Sequence, residues 1–145
     1  MHEEIAVYKL QDRNMGEKEC SYSKRGVLEA HYYFAKNNDN KFLFTTESNL
    51  IRKDVEYVLL VLSDGQYGFL SRIKKKGTYP DVYEDSSYTV PTQWKEINKN
   101  IEQLRGFNWI ALELVSKIVS NIEGIPTNPS PQYMPKEMFS DFFEG

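Results

Sequence analysis

The stretch from Tyr57 to Gly77, YVLLVLSDGQYGFLSRIKKKG, constrains the fold of this chain more than any other. Two apolar runs flank Asp64-Gly65, a dipeptide that satisfies the positive φ angles of a two-residue type I′ turn. Such a turn pairs Tyr57 with Arg72, Leu60 with Phe69 and Leu62 with Tyr67. The stretch therefore predicts a β-hairpin with a fixed register.

Both faces of the first strand of this hairpin are apolar. One face carries Val58, Leu60, Leu62, Phe69 and Ile73, and the other carries Leu59, Val61 and Leu70. A strand that is apolar on both faces is central in its sheet and needs a cover on each side. We expect helices after Pro91 to provide that cover.

Two further segments before Pro91 have the period of strands. In EIAVYKL, residues 4–10, and in VLEAHYYFA, residues 27–35, apolar and polar residues roughly alternate, which is typical of half-buried strands. The Asn and Asp residues of KNNDNK tolerate a left-handed backbone, so residues 27–35 and 41–46 are predicted to form a hairpin. The sequence thus predicts an antiparallel, strongly bent β-sheet or small barrel over residues 4–90.

After Pro91 the pattern becomes helical. Apolar residues at spacings of three and four, followed by Gly106, predict a helix over 91–105. The segment NWIALELVSKIVSNIEG predicts a second packed helix over 108–123, with Asn108 as its cap and Gly124 after its end.

The last segment has a different composition. IPTNPSPQYMP holds four prolines and predicts an extended strap. A short terminal helix then carries Phe139, Phe142 and Phe143, which either fold back onto the sheet, as we favour, or dock in a groove of another protein.

The length of 145 residues fits one α+β domain over residues 1–145. Within it, residues 1–90 are β-rich, 91–124 are helical, and 125–145 hold the strap and the terminal helix. Cys20 is the single cysteine, which excludes an internal disulfide and suits a reducing compartment. The N-terminal MHEEIAVYKL lacks the pattern of a secretory leader, and no apolar run is long enough to span a bilayer. We therefore expect a cytoplasmic protein with no membrane association.

The motifs HExxH, GxGxxG, GxxxxGK[ST] and GxSxG do not occur in the sequence. We therefore predict a protein that is not an enzyme and that has no catalytic residues, metal site or cofactor. His31 beside Glu29 resembles a general base with an orienting carboxylate. We favour a surface histidine beside a solvated glutamate.

A basic run at the end of the hairpin is the first candidate binding site. Its cations are Arg72, Lys74, Lys75 and Lys76, with Tyr67 and Tyr79 nearby. Cations beside aromatic rings are the ingredients of a phosphate and base contact. The alternative, which we favour, is that the lysines keep the hairpin from aggregating. In either case Tyr57 and Arg72, which are paired across the hairpin, are expected to form a cation–π contact.

The segment TYPDVYEDSSYTV is the second candidate. Tyr79, Tyr83 and Tyr88 alternate there with Asp81, Glu84, Asp85 and two serines. Tyr and Ser are enriched in surfaces that recognise other proteins. The same composition also fits a plain β-hairpin edge in which Tyr serves strand propensity.

These observations predict a non-enzymatic binding protein, an inhibitor or adaptor that occludes a partner protein. Bacteria and their phages or mobile elements encode such proteins as immunity, antitoxin or anti-defence factors. The alternative is a nucleic-acid-binding or nucleotide-binding domain that uses Arg72, Lys74 to Lys76 and the nearby tyrosines. The net charge of −3 selects neither partner class.

Overall fold

The computed structural model describes residues 3–10, 13–14, 21–94, 106–126 and 130–143. Within these residues the protein is mostly β-sheet, with one α-helix and two 3-10 segments. The helix is α1 (Lys24–Lys36), and the 3-10 segments are Thr92–Trp94 and Lys136–Phe143. The strands are β1 (Glu4–Leu10), β2 (Arg13–Asn14), β3 (Ser21–Tyr22), β4 (Lys41–Thr46), β5 (Tyr57–Leu62), β6 (Tyr67–Thr78), β7 (Asn108–Leu114), β8 (Val119–Ser120) and β9 (Gln132–Pro135).

Seven of the described strands form one mixed sheet in the order β4-β7-β6-β5-β1-β9, with β8 also paired to β6. Strands β2 and β3 pair separately. The prediction of an antiparallel bent sheet or small barrel is wrong, because β1 and β5 run parallel. The described strands run from one edge at β4 to the other at β9, so they do not close into a barrel.

The hairpin of β5 and β6 has the predicted register. Tyr57 pairs with Arg72, and Leu60 pairs with Phe69. The predicted type I′ turn is wrong, because Gly65 has a positive φ of 76° and Asp64 does not. The Asp64 carboxylate accepts the Gln66 N–H at 3.0 Å, and the Gly65 N–H donates to the Leu62 carbonyl at 2.8 Å. The side chain of Asp64 thus stabilises the turn, and Gly65 alone supplies a left-handed backbone.

The predicted division of the hairpin into two apolar faces is confirmed, and so is the central position of β5. The cluster beneath α1 contains Val58, Leu60, Leu62 and Phe69. The opposite cluster contains Leu59, Val61 and Leu70, and it is covered by Phe139 and Phe142. Phe139 and Phe142 therefore fold back onto the sheet as expected. The predicted cover by helices after Pro91 is wrong.

Residues 27–35 form most of α1 and not the predicted strand. Five residues buried on α1 follow a helical stripe, namely Val27, Leu28, His31, Tyr32 and Ala35. The hydroxyl of Ser23 caps the helix by accepting the Gly26 N–H at 3.1 Å. The short segment is compatible with the two-residue period of a strand and with the 3.6-residue period of a helix. The Ser23 cap and the helical stripe of buried residues favour the helix. Asp39 and Asn40 adopt the predicted left-handed backbone, but they connect α1 to β4.

The two predicted C-terminal helices are also wrong. Of residues 91–105, the structure describes a 3-10 turn at Thr92–Trp94, and residues 95–105 lie outside the described residues. Residues 108–123 contain β7 and β8 instead of a helix. Both faces of β7 are buried, so its apolar run lacks the alternation that marks a half-buried strand.

The described part of the Pro-rich segment is extended, as predicted for a strap. Strand β9 pairs with β1 at the edge of the sheet, and Pro135 lies at its end. Proline is tolerated there because an edge strand leaves one row of backbone donors unpaired.

Candidate functional site

The loop that follows β6 wraps around the edge of β4. The rings of Phe42 and Phe44 contact His31 of α1, with centroids 5.9 and 5.8 Å away. Side chains alternate along a strand, so Leu43 faces the opposite side of the sheet. The Leu43 N–H donates to the carbonyl of Thr89 at 2.9 Å, which ties the loop to the strand edge. The loop thereby covers the end of the sheet face opposite α1.

Trp109 of β7 is the fixed wall beneath this loop. It is 3% exposed, and its Nε1 donates to the carbonyl of Asp81 at 2.7 Å. Its partner on β6 is Gly77, and a Cβ added at Gly77 would lie 2.5 Å from Cζ2 of the indole. The indole therefore lies directly against a strand backbone that has no side chain.

The loop and Trp109 enclose a cavity of about 200 Å³. Tyr83 stacks on Trp109 with centroids 5.9 Å apart and planes 18° apart, and it contacts Tyr88 at 5.5 Å. Tyr79, Leu43 and Val82 complete most of the wall. Val82 is 57% exposed and Tyr83 is half-buried, so the cavity opens to solvent beside an apolar side chain. We call these residues the aromatic cavity.

Tyr79 and Tyr88 are fixed parts of this wall. Both are buried, and burial raises the pKa of Tyr79 to about 12. The pKa of Tyr88 is also raised, first by burial and then by Glu113, Tyr83 and Asp85. Both hydroxyls are therefore neutral at physiological pH, and two carboxylates near Tyr88 oppose its ionisation.

The loop that lines the aromatic cavity is acidic. Asp81, Glu84 and Asp85 are exposed on the loop, and the sequence has no Lys or Arg from residue 77 to 94. Asp85 accepts hydrogen bonds from the hydroxyl and the N–H of Ser87, which lower its pKa. Lys41 is a nearby cation, with its ammonium 5.7 Å from the centroid of Tyr88. The segment from Tyr79 to Val90 forms no strand, so it is not a hairpin edge.

Arg72 lies apart from this cavity, in a row of side chains that crosses the sheet. Successive partners in this row are Lys41, Glu113, Arg72 and Tyr57. The guanidinium is 3.4 Å from both Glu56 and Glu113, and it donates to the Tyr57 hydroxyl at 3.2 Å. The predicted cation–π contact with Tyr57 is confirmed at 5.5 Å. The Tyr57 hydroxyl, followed by Glu56 and Glu113, raises the pKa of Arg72. The guanidinium is therefore positively charged and bound to groups of this chain.

The other predicted cations do not form one cluster with Arg72. The ammonium of Lys76 donates to the carbonyl of Ile51 at 2.8 Å. Lys74 and Lys75 are exposed at a β-bulge between Ile73 and Lys75. Tyr67 lies at the other end of β6, where the guanidinium of Arg25 covers its ring at 4.6 Å.

The candidate general base is not at the surface. His31 is 3% exposed, its Nδ1 is hydrogen-bonded to the carbonyl of Val27 at 2.8 Å, and its ring contacts Trp94 at 5.1 Å. Glu29 instead pairs with Arg25 at 2.9 Å on the outer side of α1. The structure therefore separates this pair, because helical spacing replaces the strand alternation that would have joined them.

Sequence reasoning missed Trp109, Leu43 and Val82. The predicted helix over 108–123 includes Trp109 and therefore hides its position opposite Gly77. The available signal was Gly77 itself, because a glycine in a strand indicates a bulge or the close approach of another group.

No group of three or more His, Cys, Asp or Glu side chains within the described ranges is arranged to hold a metal ion. Within the same ranges, no helix has the length and apolar character needed to cross a membrane. Comparisons with protein-family models, curated proteins and solved structures find no match to this chain, so its function has to be inferred from the geometry of the site.

Proposed function

We propose that this chain is a non-enzymatic binding protein, an inhibitor or adaptor that acts by occluding a partner protein in the cytoplasm. The observation that carries the proposal is the aromatic cavity with the exposed Val82 at its mouth. Protein interfaces are enriched in Tyr and Trp at the centre and surrounded by polar residues. The cavity has Tyr and Trp in its wall, and the loop that lines it carries three exposed carboxylates.

Several contacts hold the walls of the cavity in place. Trp109 is held by its hydrogen bond to Asp81 and by Tyr83, and the loop is held to β4 through Thr89. A surface that is already ordered loses little conformational entropy when a partner docks. Binding at this position would cover Val82 and the half-buried face of Tyr83.

The nucleic-acid alternative has weaker support. Binding to a phosphate backbone depends on several cations that are available to phosphates. Arg72 is engaged by two carboxylates and the ammonium of Lys76 by a carbonyl, which leaves Lys74 and Lys75 as the exposed members of the predicted run.

A toxin or defence enzyme is the kind of partner that an occluding protein of this size would inhibit.

The test is differential capture from a lysate of the native host. The wild-type chain is immobilised beside Val82→Asp, which places a charge at the cavity mouth, and beside Lys74→Glu/Lys75→Glu as a control. We expect a protein that the wild type and the lysine variant retain and that Val82→Asp loses, with no effect of nuclease. The purified partner should then bind the chain in a fixed ratio and lose activity as the complex forms if the chain is an inhibitor.

The contrary outcome is equally specific. Capture that disappears with the lysine variant or with nuclease would support nucleic-acid binding. A filter-binding titration would then show a steep loss of affinity as salt rises. Equal retention of every protein by the wild type and Val82→Asp would contradict the proposal.

A further inference from the structure

The size of the aromatic cavity limits what it can receive. Its volume of about 200 Å³ is below the roughly 300 Å³ at which pockets hold small-molecule ligands. The cavity therefore fits one side chain of a docked protein better than a cofactor or metabolite.

The walls favour a positively charged side chain. Aromatic rings carry negative charge on their faces, and a cation within about 6 Å of a ring centroid is attracted to it. Lys41 occupies such a position over Tyr88, and Arg72 occupies one over Tyr57. Trp109 is buried between Gly77 and Tyr83, whereas Tyr83 is half-buried. Within the described part of the chain, no cation lies over Tyr83, so its ring is the one that a ligand can reach.

The loop that lines the cavity carries the complementary charge. Asp81, Glu84 and Asp85 are exposed on this loop, each next in sequence to a residue of the cavity wall, and the ammonium of Lys41 lies beside Tyr88. A cation at the mouth would thus be attracted by the carboxylates of this loop as well as by the ring of Tyr83. A neutral side chain of the same shape would lose both contributions.

We infer that the aromatic cavity receives an arginine side chain of the partner protein. Arginine fits better than lysine because its planar guanidinium stacks on aromatic faces and donates several hydrogen bonds to carboxylates. This assignment rests on the proposed function, and it adds the chemistry of the partner residue. Val82 then contacts the apolar surface around that arginine.

The test uses the indole N–H resonances of the folded chain, which contains two tryptophans. Trp109 lies in the cavity wall, and Trp94 lies beside His31 and serves as the internal control. The chain is titrated with the capped tripeptide Gly-Arg-Gly and with Gly-citrulline-Gly, which has a neutral side chain of nearly the same shape. We expect the arginine peptide to shift the Trp109 resonance, to leave Trp94 unchanged, and to bind about threefold or more tightly than the citrulline peptide.

Two variants identify the groups responsible. Asp85→Asn keeps a hydrogen-bond acceptor for Ser87 and removes the negative charge. It should therefore weaken binding of the arginine peptide and leave binding of the citrulline peptide unchanged. Tyr83→Leu should abolish the preference. Glu123→Gln is the matched control, because it removes an exposed carboxylate that is far from the cavity. Glu123 follows β8, and β8 pairs with the end of β6 that lies away from Gly77.

Equal binding of the two peptides, or equal shifts of Trp94 and Trp109, would overturn the arginine assignment. If Val82→Asp still loses the captured protein in that case, the occluding function stands and the arginine assignment alone is wrong. If the arginine peptide binds as expected but Val82→Asp retains every protein, the cavity recognises arginine and the proposed occlusion is wrong.

Discussion

Replacing Gly77 by alanine tests whether Trp109 forms the wall of the aromatic cavity. The added Cβ would lie 2.5 Å from Cζ2 and 2.7 Å from Cε2 of the indole, and real Cβ contacts are almost never shorter than 3.0 Å. The indole is the side chain that has to move. Because its Nε1 donates to Asp81 and its face stacks on Tyr83, that movement opens the cavity.

The expected cost follows from these contacts. Forcing an extra carbon into a packed site costs about 1 to 3 kcal/mol. Loss of the hydrogen bond from Trp109 to Asp81 adds about 0.5 to 1.5 kcal/mol. The higher conformational entropy of glycine in the unfolded chain returns about 0.5 to 1 kcal/mol. Gly77→Ala should therefore lower the free energy of unfolding by about 2 kcal/mol.

The measurement is urea denaturation of the wild type, Gly77→Ala, Trp109→Leu and the double variant. Without the indole, the alanine has no ring to displace, so Gly77→Ala should cost nothing in the Trp109→Leu background. The difference between the two backgrounds isolates the contact between residues 77 and 109. A Gly77→Ala protein as stable as the wild type, or an equal cost in both backgrounds, would show that the indole does not lie on Gly77.

Two further predictions concern the turn of the hairpin and the buried tyrosine. Gly65 and Gly124 both have positive φ, but a Cβ at Gly65 would lie 2.3 Å from the carbonyl oxygen of Ile122, whereas one at Gly124 meets only methionine side-chain ends at 3.4 Å or more. Gly65→Ala should therefore destabilise the protein by about 2 kcal/mol more than Gly124→Ala in urea denaturation, and equal losses would contradict the close approach. Burial raises the pKa of Tyr79 from 10.0 to about 12, so the folded state holds this proton more tightly than the unfolded chain and its contribution to stability is lost as the pH rises from 10 to 12. Tyr79→Phe should flatten the fall in stability over that range in denaturation at several pH values, and an unchanged slope would contradict the assignment.

The parts of the fold that the sequence predicts are those where local pattern and tertiary packing agree. Strand β5 is apolar on both faces, and the Asp64-Gly65 dipeptide limits how the chain can return. Strand β7 has the same two-sided burial, but no turn dipeptide marks its start. A buried strand and a buried helix give similar apolar runs, so periodicity alone does not separate them. The same ambiguity explains the error at α1, where nine residues fit both periods.

The tyrosines of the loop could be predicted to share a surface because they are close in sequence. Trp109 and Leu43 could not, since they come from two other strands and reach the cavity only through the pairing of β4, β7 and β6. The ion pair of Arg72 with Glu113 could not be predicted for a related reason. Glu113 neutralises Arg72 across the β6–β7 pair, and the sequence, read with residues 108–123 as a helix, places Glu113 elsewhere.

The bulge in β6 changes the pairing with β7 between the row of side chains that contains Arg72 and the aromatic cavity. Before the bulge Ile73 pairs with Leu112, and after it Lys75 pairs with Ala111, so Lys74 is the extra residue. If the same chain paired without the bulge, the first register would continue and place Lys76 opposite Trp109. The bulge instead brings Gly77 to this position while Arg72 stays opposite Glu113. The bulge thus absorbs one of the three consecutive lysines, so that a single strand holds its ion pair and also leaves room for the indole. The three lysines are identical in type, so the sequence does not mark which of them is extra.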